Sequence, residues 1–191
     1  MQTLYTPVSA LYDIKQSKFF ANLVPYAAYE ATLGRLKHEH PKARHFVTAY
    51  RYLNEHGQIV EGSSDDGEPK GTSGKPALAV LAGNDLIDVA AIIVRYFGGT
   101  KLGTGGLARA YTQALSDAVA QAEIVPYVFR KHETFESDYS DVNRVEYELK
   151  QAHITEVEKS FDTDKIVWKI DASEAALERF FSAIGRHVRK R

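Results

Sequence analysis

Cysteine is absent from all 191 residues, which removes disulfides, thiolate metal sites and cysteine nucleophiles and suits a reducing compartment. Neither sign of charge is in surplus. Twenty-four Lys+Arg stand against 25 Asp+Glu, a formal net charge of −1, so bulk electrostatics argue for no nucleic-acid coat and no membrane surface. No run approaches the roughly 18 consecutive apolar residues of a membrane span. The opening "MQTLYTPVSALYDIKQSKFF" lacks a basic start followed by an apolar stretch, so no signal peptide is expected. A cytoplasmic protein with no membrane partner follows as the default. With 44% hydrophobic and 26% charged residues, the composition is that of an ordinary globular chain of one or two domains.

Glycine is scarce in one half only. Of 13 glycines, Gly185 alone lies beyond residue 128. This change of texture sets a boundary near Tyr127, giving domains 1–127 and 128–191. Their charges are 12 basic and 12 acidic, then 12 and 13, so neither is a charged module. In the first domain two strands are expected over 8–26 around a turn at 15–18, and a helix over 27–40 stopped by Pro41. A strand over 43–53 follows, then a hairpin tip at His56–Gly57. A buried helix is expected over 75–83, with Thr72 or Ser73 as its cap. "LIDVAAIIVRYF" (86–97) is the candidate central strand, covered on both faces, and a helix follows from Leu107. The second domain reads strand (128–136), helix (138–151), strand (154–161), strand (164–172), helix (173–184), with a final strand in the basic end "RHVRKR". That is the ferredoxin-like split βαβ pattern, and the fold class is α+β in two domains.

Two glycine-rich segments carry the chemistry: "SSDDGEPKGTSGKP" (63–76), whose composition suits neither strand nor helix, and "GGTKLGTGG" (98–106). Each runs into a helix start, where free N–H groups and partial positive charge favour an anion. Gly71–Gly74 and the set Gly98, Gly99, Gly103, Gly105 and Gly106 would cradle phosphates, with point charges from Lys70, Lys75, Lys101 and Arg109. Arg95 ends the apolar strand as a guanidinium without an evident partner, at the mouth where ligands gather in open α/β sheets. Neither segment matches a P-loop or a dinucleotide fingerprint. Tight turns and helix caps are the plain alternative.

Asp65, Asp66 and Glu68 lack the alternating spacing of a calcium loop. A turn at Asp66-Gly67, or pairing with Arg95 or Lys101, is the simpler reading, and no metal or cofactor is expected. His45 opens a strand beside Arg44 and faces either the cleft or solvent. His38 and His40, two residues apart, do not share a helix face. No serine elbow is present, and no set of residues forms a catalytic constellation, which favours a binding protein over an enzyme.

"ARH" (43–45), "SDDGEPKGTSGKP" (64–76) and "RYFGGTKLGTGGLARAY" (95–111) together resemble the YigZ/IMPACT family, strongly over residues 1 to about 127 and by pattern only beyond. The resemblance implies a first domain like domain IV of elongation factor G and a second like its domain V. It implies a translation-associated protein that contacts RNA or the ribosome. Eukaryotic relatives carry a further N-terminal interaction module and act on a starvation-response kinase pathway; Met1 opens directly on the shared domain, so that role is not carried over.

Three functions follow. The first is a non-enzymatic RNA- or ribosome-binding regulator of translation, with no DNA specificity, using His45, Arg95, Lys101 and both helix starts on phosphates, and Tyr96 or Phe97 for stacking. The second is an enzyme or sensor for a small phosphorylated ligand, with an acid of the first segment as base or Mg²⁺ contact. The third is a protein-interaction module displaying the loops as a rigid epitope.

Overall fold

The computed structural model describes residues 1–190 and divides into two compact units, Met1–Tyr127 and the chain from Val128 onward. The first contains β1 (Gln2–Thr3), β2 (Val8–Ile14), β3 (Ser17–Pro25), α1 (Tyr29–Glu39), β4 (His45–Leu53), β5 (Ile59–Ser64), α2 (Gly74–Gly83), β6 (Val89–Tyr96), α3 (Thr104–Gln121) and β7 (Val125–Pro126). A five-stranded sheet runs β2-β3-β6-β4-β5 and is antiparallel throughout, while β1 and β7 pair separately.

β6 is nearly all apolar because both of its faces are covered. Val89, Ala91 and Ile93 pack against Leu81 of α2 and Leu107, Tyr111 and Leu115 of α3. Their alternates Ala90, Ile92 and Val94 pack against Leu36 of α1 on the other side. The period of two is thus present but hidden, since each face meets a helix. The antiparallel order also corrects one expectation. Arg95 does not sit at the mouth of an open parallel sheet, so the ligand rule for such sheets does not apply to it.

The β2–β3 hairpin turns on Lys15 (φ 46°) and Gln16 (φ 63°), two left-handed residues whose twist matches the strands they join. Strand registers then fix what gathers at one end of the sheet. The end of β6 meets the start of β3 (Tyr96 opposite Lys18) and the start of β4 (Arg95 opposite His45). The 15–16 turn and the segments 40–44, 65–73 and 97–103 therefore all leave from this end. The 63–76 segment is less irregular than its composition suggests: Ser63 and Ser64 finish β5, and Gly74 opens α2. A Cβ at Gly74 would lie 2.8 Å from the Ser64 carbonyl carbon, so the segment closes tightly on its own start.

The second unit contains β8 (Arg130–Asp138), α4 (Val142–Gln151), β9 (Glu156–Phe161), β10 (Lys165–Ser173), α5 (Glu174–Ile184) and β11 (Val188–Lys190). The sheet order β11-β8-β10-β9, antiparallel throughout, is that of a ferredoxin-like domain. Phe135, Trp168, Leu177 and Phe180 form its core, and the Trp168 indole N–H donates to Ser137 Oγ at 2.9 Å. Arg191, the last residue of the basic end, lies outside the described residues. Among the described residues no helix is long and apolar enough to cross a membrane.

Candidate functional site

Two acids of the first glycine segment, Asp65 and Glu68, turn inward, while Asp66 stays exposed. Asp65 accepts from the Gly71 N–H at 2.7 Å through Oδ2, and through Oδ1 from the Ser73 N–H, the Ser73 hydroxyl and the Gly74 N–H at 3.1, 2.7 and 2.8 Å. Burial pushes this carboxyl up, but the four donors outweigh it and hold the pKa down to about 2. Asp65, rather than Thr72 or Ser73, is thus the cap of α2: the Ser73 hydroxyl is spent on Asp65, and the Thr72 hydroxyl donates to the Pro69 carbonyl at 2.7 Å. The amides of Gly71–Gly74 are accordingly not an open phosphate cradle, because the chain's own carboxylate fills it.

Asp66 adopts φ 40° and Gly67 φ 83°, a turn that only short polar residues and glycine accept readily. Asp66 Oδ2 accepts the Phe46 N–H at 2.6 Å, and its carbonyl meets His45 Nδ1 at 2.9 Å. Since a carbonyl only accepts, Nδ1 of His45 carries a proton. Its Nε2 lies 4.0 Å from Glu68.

Glu68 is 8% exposed. Its Oε1 accepts from Arg95 Nη1 at 2.5 Å and from the Tyr111 hydroxyl at 2.8 Å. Arg95, 6% exposed, is therefore a partnered guanidinium. It also lies 5.4 Å from the Phe19 ring centre and 5.7 Å from that of Phe97, and its Nε is buried with no hydrogen-bond partner among the described residues. Burial, followed by the neighbouring Glu68 charge, pushes the Tyr111 phenol far above its ordinary value. A buried pair with this geometry locks the segment 65–73 onto β6 and α3, because either charge alone would be stranded away from water.

The second segment is arranged differently. Gly103, at φ 74°, precedes α3, and no side chain among the described residues caps that helix. Its first amides therefore lack the internal carboxylate that α2 possesses. Gly98 is held by packing: its N–H donates to Ser17 Oγ at 3.0 Å, and a Cβ there would lie 2.0 Å from the Gln16 backbone. Gly99 takes φ 88°. Gly105 lies beside Arg109, whose Nη1 would stand 3.7 Å from a Cβ there, and Gly106 lies against Leu102.

While Asp65 and Glu68 face in, the bases face out. Lys15 and Lys18 on the β2–β3 hairpin, Lys42 and Arg44 before β4, Lys70 and Lys75 around the start of α2, and Lys101 and Arg109 around the start of α3 are all exposed, and none has a carboxylate partner among the described residues. Of the acids at this end, Asp65, Asp66 and Glu68 are engaged as above, and Asp13 stands opposite Lys18 in the β2–β3 register. A near-neutral chain thus carries a strongly basic sheet end. Lys42, Arg44, His45, Arg95, Tyr96 and Phe97 line a hollow of about 310 Å³ there. The Tyr96 hydroxyl is tied to His40 Nδ1 at 3.0 Å, whereas Phe97 is 56% exposed. Lys15, Lys18, Lys42, Arg44 and Tyr111 join the site only through the fold. Solitary surface bases carry no local signal, and Tyr111 reads as a core position of α3.

The Impact N-terminal domain matches residues 15–119. An IMPACT family member of Haemophilus influenzae is 34% identical over 175 residues, 90% of this chain and 84% of that protein. The IMPACT family member YigZ of Escherichia coli is 36% identical over 148 residues, 76% and 72% of the two chains. Among solved structures, the crystal structure of a hypothetical protein has a TM-score of 0.76 at 28% identity, covering 99% of this chain and 95% of that one. The chain belongs to the IMPACT family.

Proposed function

We propose that the protein is a non-enzymatic, translation-associated binding protein that grips RNA phosphates at the basic end of its first sheet. The observation that carries this reading is the separation of charge at that end. Asp65 and Glu68 are consumed internally, while eight exposed bases remain without carboxylate partners among the described residues. Lysine and arginine spread over several loops suit a backbone followed along its length, and phosphate contacts of this kind position a nucleic acid without reading its sequence. The uncapped start of α3 adds amide donors beside Lys101 and Arg109. RNA and the ribosome are the partners this implies, in keeping with the translation role that the resemblance to the family suggests.

The test is binding of short single-stranded RNA and of ribosomal subunits, measured by fluorescence anisotropy and sedimentation across salt concentrations. Wild type is expected to bind with a steep salt dependence. The triple variant Lys42→Ala/Arg44→Ala/Lys101→Ala should bind more weakly, with its log–log slope reduced by about 2, since each phosphate contact on a single strand contributes about 0.7. Binding indifferent to the variant would overturn the site. The hollow of about 310 Å³ favours a second reading, a small phosphorylated ligand. A saturable thermal shift with a nucleotide or sugar phosphate, without RNA binding, would support that reading instead.

A further inference from the structure

Resting on that RNA reading, we infer that the hollow beside β6 takes one unpaired nucleotide, its base stacked on Phe97 and its phosphate held by Lys42 and Arg44, so that the protein selects single-stranded over double-stranded RNA.

A solitary exposed apolar residue is ordinary, but the chain on both sides of Phe97 is held in place. Its C-terminal neighbour Gly98 is wedged against the Gln16 backbone and anchored on Ser17 Oγ. Its N-terminal neighbour Tyr96 is fixed by His40 and packs edge-on to Phe20. The Arg95 guanidinium lies 5.7 Å from the Phe97 ring centre and is itself held by Glu68. A ring whose backbone is already held loses less conformational freedom when a ligand covers it than one on a loose loop.

The surroundings carry positive charge: Lys42 and Arg44 share the hollow with the ring, and neither is paired with an acid among the described residues. An aromatic platform set among backbone-tracking bases is how single strands are held without sequence preference, because every base offers a π-face. A hollow of about 310 Å³ lies at the small end of ligand pockets, which run from about 300 Å³ upward, and suits one base with its sugar. An A-form duplex keeps its bases stacked inside and presents a major groove too narrow for side chains. It would meet the same lysines but leave Phe97 uncovered.

The experiment compares an eight-nucleotide single-stranded RNA with a hairpin duplex, using wild type, Phe97→Ala, Phe97→Trp and Lys42→Ala/Arg44→Ala. Wild type should prefer the single strand. Phe97→Ala should weaken single-strand binding by about five- to 150-fold, the loss of one stacked base, with an unchanged salt slope and unchanged duplex affinity. Phe97→Trp should retain binding. Lys42→Ala/Arg44→Ala should lower the slope by about 1.4. A single strand carrying 2-aminopurine, whose fluorescence falls on stacking, should be quenched by wild type and Phe97→Trp; this reading does not depend on the alanine variant folding. If RNA binds with a steep salt slope but Phe97→Ala and the 2-aminopurine signal are silent, stacking is wrong and the phosphate reading stands. If wild type binds no RNA at all, both fall.

Discussion

Breaking the Glu68–Arg95 pair from one side should be far more damaging than removing both partners. Oε1 of Glu68 accepts from Arg95 and Tyr111 at 2.5 and 2.8 Å, and both members of the pair are more than nine-tenths buried. Arg95→Met leaves a buried carboxylate whose remaining hydrogen-bond donor is the Tyr111 hydroxyl, with His45 Nε2 4.0 Å away. Glu68→Leu leaves a guanidinium between Phe19 and Phe97 whose Nε already lacks a partner. Each single substitution should cost about 3–5 kcal/mol of stability, the usual penalty for an uncompensated buried charge. The double variant Glu68→Leu/Arg95→Met removes both charges and should cost no more than either single one, giving a coupling of at least ~3 kcal/mol. Urea unfolding followed by far-UV circular dichroism measures the cycle. Trp168, the only tryptophan, lies in the second unit, and its fluorescence reports that unit's integrity in each variant. Additive losses in the double variant would show that the pair does not lock the 65–73 segment and would refute the argument.

Three further outcomes follow, two from the same loops and one from α1. Asp65 has a folded pKa near 2 against an ordinary value of 3.8, so its stabilisation is complete above about pH 4 and is lost as pH falls through about 2. After allowance for its partial exposure it amounts to roughly 1–2 kcal/mol. Asp65→Asn should lose about that much at pH 7 and flatten the acid limb of a thermal-midpoint profile; an unchanged acid limb would contradict the capping role. Gly98→Ala should destabilise by about 1–3 kcal/mol through its clash with the Gln16 backbone. Gly34→Ala, in open space on α1, should be neutral or gain up to about 1 kcal/mol. Thermal melts of the two variants decide this.

The parts of the fold legible in the sequence were those with local causes. β6 showed itself as a long apolar run, α3 by its helical spacing, and the second unit by its strand–helix order. The antiparallel pairing around β6 was not legible, because a strand covered on both faces reads alike in either direction. Within the glycine segments, composition revealed the loops but not the direction of their side chains. Asp65 meets amides six to nine residues ahead, and Glu68 meets Arg95 27 residues away, contacts that exist only once the segment has closed over β6. Lys42 and Arg44 went unassigned for a related reason. Each is an unremarkable surface base until the register of β4 against β6 brings it to the same end as Phe97 and Lys101.

On the proposed reading, Asp65 and Glu68 hold the fold while the bases around them hold RNA. The most direct measurement is the salt dependence of RNA affinity for two triple variants. Lys42→Ala/Arg44→Ala/Lys101→Ala strips the sheet end, and Lys150→Ala/Lys169→Ala/Arg179→Ala removes the same charge from the second unit. A log–log slope reduced by about 2 in the first variant and unchanged in the second is the expected result. Equal slopes in both variants would mean that RNA responds to overall charge and not to the sheet end, and would contradict the account.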